Sequence, residues 1–581
     1  MEHFSGILKM EMHPDAHFGR IPAVSALVFV LIPSTLVIFE ILIIGASQWN
    51  MGTRSLVHFP TSASLAVAWG SGRSVFLRQQ IARAMTVATL DILIAAPAAH
   101  FLVRRVRRER GLVALWLLLL PFFINSATRA FSWKVLLGSH GPLNVFLTHL
   151  WVSDAAQTSL HHSPVGAILC LVSASLPLAL FSIAGFMSAI PESVWDLCDD
   201  DGLDCTNELM LVALPLSLNG IKLGWIASFV ICALASNEID FTGGIHDVSL
   251  FKVIQDLFTV PDPASATAMG ILLSVGIAGT IGIVLFALWC VNRIRIVRRL
   301  PLGSAGICIE RCCLGLAFVI VLIPVATILL QTASLAIHSS SAARGGAGKL
   351  LSDTVIAALG HTLWVAIGVT FPTLIGAILV GLSWWNARLF HFLSISSLCL
   401  AAIPGGSYAM GVYYMLQTLH LSLPPVLIIS ITEYVWVFPF MLLTVVSGYS
   451  RIPTSTVEAA RDLGASWSRT FLSIILPVCW PEMVLSGLVG VVLASNDASR
   501  PSLLANEYEL ISEYIAARLQ SGNNLSDHFL ASFSVLLGLL VVSSFVSCFF
   551  YLHSDHSPKE EQGGNGHGAT VSGINAFGGR I

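Results

Sequence analysis

Two short polar sequences stand where long apolar runs of the chain end, and each joins an amide to an acid. They are Asn237-Glu238 and Asn496-Asp497, which close the matching sequences LASNE and LASND. An acid at membrane depth costs about 2.5–3.5 kcal/mol on insertion scales, so such residues usually face a polar interior or a partner. Glu238 and Asp497 would converge if the two regions meet, and would then attract a cation. The alternative is that they are structural gate or helix-end residues.

A third acid, Glu433, lies deeper, within the sequence ITEYVWVFPF. Tyr434 and Trp436 stand close by, and aromatic faces attract organic cations. Glu433, Tyr434 and Trp436 would therefore contact an ammonium group by charge and by cation–π interaction. A buried acid paired with another helix is the alternative. Together with the two amide–acid pairs, these residues form the predicted substrate pathway.

Sequence motifs for catalysis, metal binding or nucleotide binding are not evident elsewhere. The nearest approach to a phosphate loop, ARGGAGKLL at residues 343–351, lacks the first Gly and the final Ser or Thr. The closest cysteine cluster, Cys308, Cys312 and Cys313, contains no CxxC pair. We therefore expect no catalytic residue, no metal ligand and no cofactor, and a protein that is not an enzyme.

The elements that position these residues must be membrane helices. Of the 581 residues, 55% are apolar and only 11% are charged, whereas a soluble domain carries roughly 25% charged residues. The net charge of -3 gives no indication of a nucleic-acid partner. Since a bilayer core needs about 20 apolar residues per helix, we predict about twelve spans in two sets of six. They are 21–44, 81–103, 112–128, 165–190, 218–236 and 269–292, followed by 312–331, 354–384, 393–416, 426–446, 483–495 extended at both ends, and 529–552.

Arginine clusters set the predicted orientation, because short cytoplasmic loops collect basic residues. One cluster follows the second span and another separates the two sets of spans; their members are Arg104, Arg105, Arg107, Arg108 and Arg110, and Arg293, Arg295, Arg298, Arg299 and Arg311. Both clusters face the cytoplasm if both termini do. We predict a first unit at residues 1–300, a second at 301–553 and a disordered cytoplasmic tail at 554–581.

The two sets of spans are copies of one unit. Pro177, Pro191, Gly202 and Pro215 each recur 262 residues later, as Pro439, Pro453, Gly464 and Pro477. Repeats of six spans have the same topology, and such parallel repeats are related by an axis along the membrane normal. The predicted fold is therefore an all-α integral membrane protein built from two tandem six-helix units with parallel pseudo-two-fold symmetry.

Within each copy, a polar segment lies between apolar spans. We name residues 453–478 the second elbow and residues 191–217 the first elbow. In the second elbow, EAARDL is a run of helix formers, Gly464 permits a sharp turn, and Pro477 marks entry into the next span. The pattern predicts helix, turn and helix along the cytoplasmic surface. An amphipathic surface helix without a partner is the alternative.

The second elbow resembles the cytoplasmic signature of permease subunits of binding-protein-dependent ABC importers. The resemblance rests on EAA, three further residues, Gly, and a Leu-Pro 12 and 13 positions beyond that Gly. In that family the short helix docks in a groove of a separate ATPase subunit. The resemblance assigns this role to Glu458, Ala459, Ala460, Gly464 and Pro477.

The first elbow keeps only part of the signature. Gly202 and Pro215 hold their places, but Asp196 replaces the glutamate, Leu-Cys replaces the two alanines, and DDD makes the helix more acidic. This difference allows three interpretations. The acidic run selects a particular ATPase surface, or the first half couples only weakly to the ATPase, or the run is a solvated acidic face without a special role.

The resemblance extends over nearly the whole chain. The first half resembles the B-type, and the second half the C-type, permease of spermidine/putrescine importers, here fused into one double-length chain. Related permeases serve ferric iron, thiamine and 2-aminoethylphosphonate. The resemblance implies a type I fold in the bacterial inner membrane, a homodimeric ATP-binding subunit that alone binds and hydrolyses ATP, and a periplasmic solute-binding protein. Transport would proceed by alternating access. The alternative is an ion-coupled secondary transporter, but that class has no ATPase subunit on which the elbows could dock.

Overall fold

The structure is a computed structural model, and it describes about 70% of the chain. The described residues are 32–45, 47–50, 55–57, 63–70, 72–119, 124–138, 141–149, 163–243, 247–259, 262–293, 305–338, 353–382, 403–449, 452–497, 500, 503–504 and 510–521. The predicted span at 529–552 and the predicted tail at 554–581 lie outside these ranges.

The first half is helical apart from two three-residue strands that pair antiparallel. Its elements are α1 (Ile32–Gly45), β1 (Gln48–Asn50), β2 (Ser55–Val57), α2 (Ala63–Gly70), α3 (Ser74–Arg104), α4 (Arg108–Leu119), α5 (Ser126–Leu137), α6 (Pro142–His149), α7 (Pro164–Ser188), α8 (Glu192–Asp200), α9 (Cys205–Glu208), a π-helix (Leu209–Ala213), α10 (Leu214–Leu216), α11 (Leu218–Leu234), α12 (Asn237–Thr242), α13 (Leu250–Thr259) and α14 (Pro263–Arg293).

In the second half, every described element is helical. They are α15 (Ala305–His338), α16 (Asp353–Gly381), α17 (Gly405–Thr418), α18 (Pro425–Tyr449), α19 (Thr454–Asp462), α20 (Trp467–Thr470), a second π-helix (Phe471–Ile475), α21 (Leu476–Asn496) and α22 (Ile511–Ser521). The all-α membrane class predicted from the sequence is confirmed.

Seven helical stretches among the described residues are long and apolar enough to cross a membrane. They are 74–104, 164–188, 263–288, 306–330, 354–381, 425–446 and 468–496. An eighth would be the pair 205–216 and 218–234, if these two helices, bent by 78°, form one span. These stretches correspond to eight of the twelve predicted spans.

The predicted span at 112–128 is wrong as a single helix. The helix α4 ends at Leu119, and α5 begins at Ser126. Asn125 caps the new helix, because its side chain accepts a hydrogen bond from the Ala127 N–H at 2.8 Å. An apolar run identified from composition alone does not show where such a cap divides it.

The duplication is visible in the helices as well as in the sequence. The prolines Pro177 and Pro439 lie inside α7 and α18, and the two π-helices start 262 residues apart. The copies differ after the π-helix: α21 continues through to Asn496, whereas Ser217 separates α10 from α11. The Ser217 hydroxyl donates to the Ala213 carbonyl at 2.6 Å, a bond from a side chain to the preceding turn that bends helices.

Each half contributes its first described long helix to the core of the other half. The apolar face of α15 (Ala317, Val321 and Ile328 among others) belongs to the core formed by α3, α5, α7 and α11. Reciprocally, Ile41 of α1 belongs to the core formed by α16, α18 and α21. The two halves therefore interlock rather than lie side by side as separate domains.

Candidate functional site: the two elbows and the central cavity

The two elbows have the same backbone course. The helices α8 and α19 each contain nine residues and each follow a proline, Pro191 or Pro453, in extended conformation. A glycine turn, a short helix and a π-helix then lead into the next apolar helix. Helix, turn and helix are the elements that the sequence predicted.

Hydrogen bonds show that both glycine turns are Schellman caps. In the second elbow, Gly464 N–H donates to the Arg461 carbonyl at 2.8 Å, and Ala465 N–H to the Ala460 carbonyl at 3.0 Å. The first elbow repeats the pattern at Gly202 and Leu203, with donor–acceptor distances of 3.1 and 3.0 Å. Gly464 and Gly202 have φ of 78° and 61°, a left-handed conformation that glycine adopts without steric cost.

The elbow helices bury equivalent faces. Trp195 and Cys198 of α8 are buried, as are Val457 and Ala460 of α19, which lie 262 residues later. Since residues three apart share a helix face, each helix rests on the bundle through this pair. The opposite face is exposed: Leu197 is 64% exposed, and Leu463 beside the second glycine is 88% exposed.

The predicted docking residues lie mostly on that exposed face. In the second elbow, Glu458, Ala459, Gly464 and Pro477 are exposed, whereas Ala460 packs inward. In the first elbow, Asp196, Gly202 and Pro215 are all exposed. This chain thus leaves both elbows uncovered, with the EAA alanines divided between the outer and inner faces of α19.

An ion-pair network anchors the first elbow to α3. The Arg104 guanidinium contacts Asp199 at 2.5 Å and Glu208 at 2.7 Å, and Arg105 contacts Glu208 at 3.3 Å. Arg104 also lies over the Trp195 ring, 5.7 Å from its centroid. Asp199 is largely exposed, but Glu208 is almost fully buried, so loss of the arginine partners is expected to cost more at Glu208, where it leaves a buried carboxylate unpaired.

A cavity of about 200 Å³ lies between the two halves of the chain. It is lined by residues of both halves, among them Gln80, Ser126, Arg129, Asn237, Glu238, Trp436, Asn496, Asp497 and Arg500. Both predicted amide–acid pairs therefore line one cavity. The amide of Asn125 also bridges the halves, since its Nδ2 donates to the Asn496 carbonyl at 3.4 Å.

Each acid of the cavity already has an arginine partner. Glu238 contacts Arg129 at 2.5 Å, and Asp497 forms an ion pair with Arg500 three residues later. The Arg500 guanidinium also lies 5.1 Å from the centre of the Trp436 ring. The cavity thus presents paired charges of both signs, rather than two uncompensated carboxylates.

The three residues predicted around Glu433 separate into two environments. Trp436 lines the cavity, whereas Glu433 and Tyr434 do not. Glu433 is fully buried beside Asp497 and Arg500. Of the two interpretations left open by the sequence, the geometry matches an acid held against charged groups of a neighbouring segment.

Sequence reasoning missed three residues of these sites: Arg129, Arg500 and Trp195. The arginines are single basic residues next to apolar sequence, and a search for their acid partners would have identified them as candidates, because a charge at membrane depth needs a counter-ion. Trp195 gave no such signal. Its role depends on the approach of Arg104, which no local pattern predicts.

Comparison with known proteins gives two kinds of similarity. The family described as "Binding-protein-dependent transport system inner membrane component" matches residues 368–559, which include the second elbow. The spermidine/putrescine transport system permease protein PotB of Salmonella typhimurium (strain SL1344) is 26% identical over 210 residues, 36% of this chain and 71% of the relative.

Two relatives from Escherichia coli (strain K12) are similar to the same degree. PotB of that organism is 26% identical over 210 residues, which are 36% of this chain and 74% of the relative. The spermidine/putrescine transport system permease protein PotC is 28% identical over 196 residues, which are 33% of this chain and 73% of the relative. With the membrane helices and the duplicated elbow, these matches, each covering about a third of this chain, are similarities to permease components of ABC importers, which are transport proteins rather than enzymes.

Proposed function

We propose that this chain translocates a small, polyamine-like organic cation into the bacterial cytoplasm through the inner membrane. A periplasmic binding protein delivers the substrate, and a homodimeric ATPase on the cytoplasmic face drives alternating access. The chain supplies both permease units, residues 1–300 and 301–553, and both termini lie in the cytoplasm. ATP is bound by the ATPase subunits and not by this chain.

The observation that carries the proposal is the pair of exposed elbows. Each elbow ends its helix in the same left-handed glycine turn and rests on the bundle through the same two positions. An exposed face with Glu458, Ala459 and an 88% exposed Leu463 is unusual for a helix that has no partner. Two such faces in one chain match the two subunits of an ATPase dimer.

A charge reversal tests the docking role. We expect Glu458→Lys and Gly464→Pro to abolish ATP-dependent uptake while membrane insertion and protein yield stay unchanged. The matched control is Arg78→Glu, an exposed charge on α3. It lies about 39 Å from Arg104 along the helix axis, at 1.5 Å per residue. Normal uptake by both elbow variants would refute the docking role.

A labelling experiment separates the ABC mechanism from an ion-coupled one. In the complex purified from native membranes, photoactivated azido-ATP is expected to label a co-purifying subunit and to leave this chain unlabelled. Transport that survives ATP depletion, with no labelled partner, would favour a secondary transporter.

The cavity gives the site at which the substrate class can be tested. Glu238, Asp497 and the Trp436 ring line it and suit an organic cation. The guanidinium groups of Arg129 and Arg500 line the same cavity, and they favour an anionic or zwitterionic substrate such as 2-aminoethylphosphonate as the second candidate.

Proteoliposomes containing the complete transporter would distinguish the two. Accumulation of labelled putrescine, reduced by Glu238→Gln, is the expected result. Accumulation of 2-aminoethylphosphonate instead, reduced by Arg500→Gln, would assign the cavity to the second candidate.

A further inference from the structure

Three side chains with metal-binding atoms meet beneath the first elbow, although they are far apart in the sequence. They are His100 of α3, Cys205 of α9 and Glu310 of α15, and all three are buried. One candidate ligand atom from each residue lies within 4.8 Å of the other two. The first two residues belong to the first half of the chain, and Glu310 lies on the helix that the second half contributes to the core of the first.

The carboxylate of Glu310 is the centre of this cluster. His100 Nδ1 lies 2.7 Å from Glu310 Oε1, and the Cys205 thiol donates to Glu310 Oε2 at 3.0 Å. The side chains of His100 and Glu310 are only 1% and 2% exposed. Water therefore does not solvate this carboxylate, and any negative charge on it must be compensated by neighbouring groups.

The charge balance differs between the two buried glutamates of this region. Glu208 has two arginine partners, Arg104 and Arg105. Glu310 has no Arg or Lys within ion-pair distance among the residues that the structure describes; its partners there are a thiol and an imidazole. A buried carboxylate without a cation is costly, so a proton within the cluster, on the carboxyl or the imidazole, or a metal ion compensates it.

The surroundings of His100 also fit a metal-bound imidazole. The other ring nitrogen, His100 Nε2, is buried without a hydrogen bond and lies 4.0 Å from Glu208 Oε1. When one nitrogen of a histidine binds a metal, the other usually donates to a carboxylate, which orients the ring. Glu208 stands where that second carboxylate is needed.

The donor set selects the kind of metal. Sulfur, nitrogen and carboxylate oxygen together suit Zn²⁺, which binds them at about 2.0–2.3 Å in tetrahedral geometry. Tetrahedral ligands at those distances lie about 3.3–3.7 Å from one another. The observed donor–acceptor distances of 2.7 and 3.0 Å are shorter than this range, so the ligands would have to separate by a few tenths of an ångström to admit the ion.

We propose that His100 Nδ1, Cys205 Sγ and Glu310 form a binding site for Zn²⁺ or a similar divalent metal, with three protein ligands and the fourth tetrahedral position open to water. The ion would take the place of the thiol proton, which is released to solvent, and would occupy His100 Nδ1, so that a neutral imidazole carries its proton on Nε2, facing Glu208. It would join the base of the first elbow to α15. The mechanical consequence rests on the proposed coupling role of the elbow, whereas metal binding itself does not.

The test is metal binding by the full-length protein, purified with a tag that contains no histidine. Elemental analysis is expected to find about one zinc ion per chain. Replacement by Co²⁺ is expected to give the cobalt–thiolate charge-transfer absorption, and that absorption should disappear in Cys205→Ser. Serine can keep the hydrogen bond to Glu310, so the variant is expected to remain folded.

Controls address the other thiols near this site. Cys198→Ser removes a buried thiol of the same elbow, and a Cys308→Ser/Cys312→Ser double variant removes two exposed thiols of α15. Both are expected to keep the cobalt absorption and the zinc. The Glu310→Gln variant is expected to lose both, even where its thermal stability is unchanged.

Two results would overturn the proposal. One is the absence of zinc and of any cobalt–thiolate absorption in the wild-type protein, which would leave hydrogen bonds alone holding this cluster together. The other is metal content that persists in Cys205→Ser and Glu310→Gln, which would place the ion elsewhere. Because neither readout needs an ATPase or a substrate, failure here is distinguishable from failure of the proposed function.

Discussion

The Schellman turn of the second elbow makes a quantitative prediction for the substitution Gly464→Ala. The backbone there has φ of 78°, and an added Cβ would meet no atom within 4 Å. Steric overlap with neighbours therefore contributes nothing, and the cost is that of holding an L-residue in the left-handed region. That cost is about 1–2 kcal/mol, which corresponds to a factor of about 5–30 in a local equilibrium.

Hydrogen–deuterium exchange measures this equilibrium without a partner or a substrate. Amides of the helix α19 exchange by local opening, so Gly464→Ala is expected to accelerate their exchange about 5–30-fold. Gly464→Asn should accelerate it less, because asparagine tolerates the left-handed region better than alanine does.

The matched control is Gly487→Ala, in α21 just beyond the same elbow. That glycine also has no atom within 4 Å of an added Cβ, but its φ is not positive. The same substitution should therefore stabilise its helix by up to about 1 kcal/mol and leave exchange in α19 unchanged. Equal exchange rates of α19 in Gly464→Ala and Gly487→Ala would refute the reasoning, since neither added Cβ meets a neighbour and only Gly464 has a positive φ.

Three further predictions concern packing and charge, each measured by thermal unfolding of the purified protein. Trp195→Ala should destabilise by about 3–5 kcal/mol, because this ring is buried under Arg104, while Leu197→Ala, on the exposed face of the same helix, should stay within about 0.5 kcal/mol. Arg129→Ala should cost about 3–5 kcal/mol, because it leaves a buried carboxylate unpaired; a loss below 1 kcal/mol would show that the pair is solvated. Gly270→Ala should cost about 1–3 kcal/mol, since its Cβ would overlap the hydroxyl of Ser407 across the two halves.

The elbows were the most predictable part of the molecule because they are determined locally. A proline before the helix, a glycine after it and a second proline at the next span act on the residues adjacent to them. The same three signals occur twice at one spacing, so each copy supports the interpretation of the other. The exposed and buried faces of α19 then follow from helical periodicity alone.

The partners of the buried charges were not predictable in the same way. Glu238 and Asp497 were identified as pathway residues, and both line the cavity, but Arg129 is 109 residues away from Glu238. His100 and Glu310 are separated by 210 residues. Pairings of this kind depend on which helices become neighbours, and hydropathy reports only that a helix is buried in lipid or protein.

Some of these charged groups pair across the two halves because each half packs its first described long helix into the core of the other half. Because α15 packs into the first core and α1 contacts the second, the described halves share hydrophobic surface that neither would bury alone. Glu310 meets the base of the first elbow through this exchange. If the elbows dock on an ATPase as proposed, a force applied to the first elbow would be passed directly to α15, a helix of the second unit. A force applied to the second elbow would be passed to α21, the helix that follows it in the chain. The two elbows share a backbone course but differ in what lies beneath them, so equivalent substitutions such as Gly202→Ala and Gly464→Ala are expected to have unequal effects on transport.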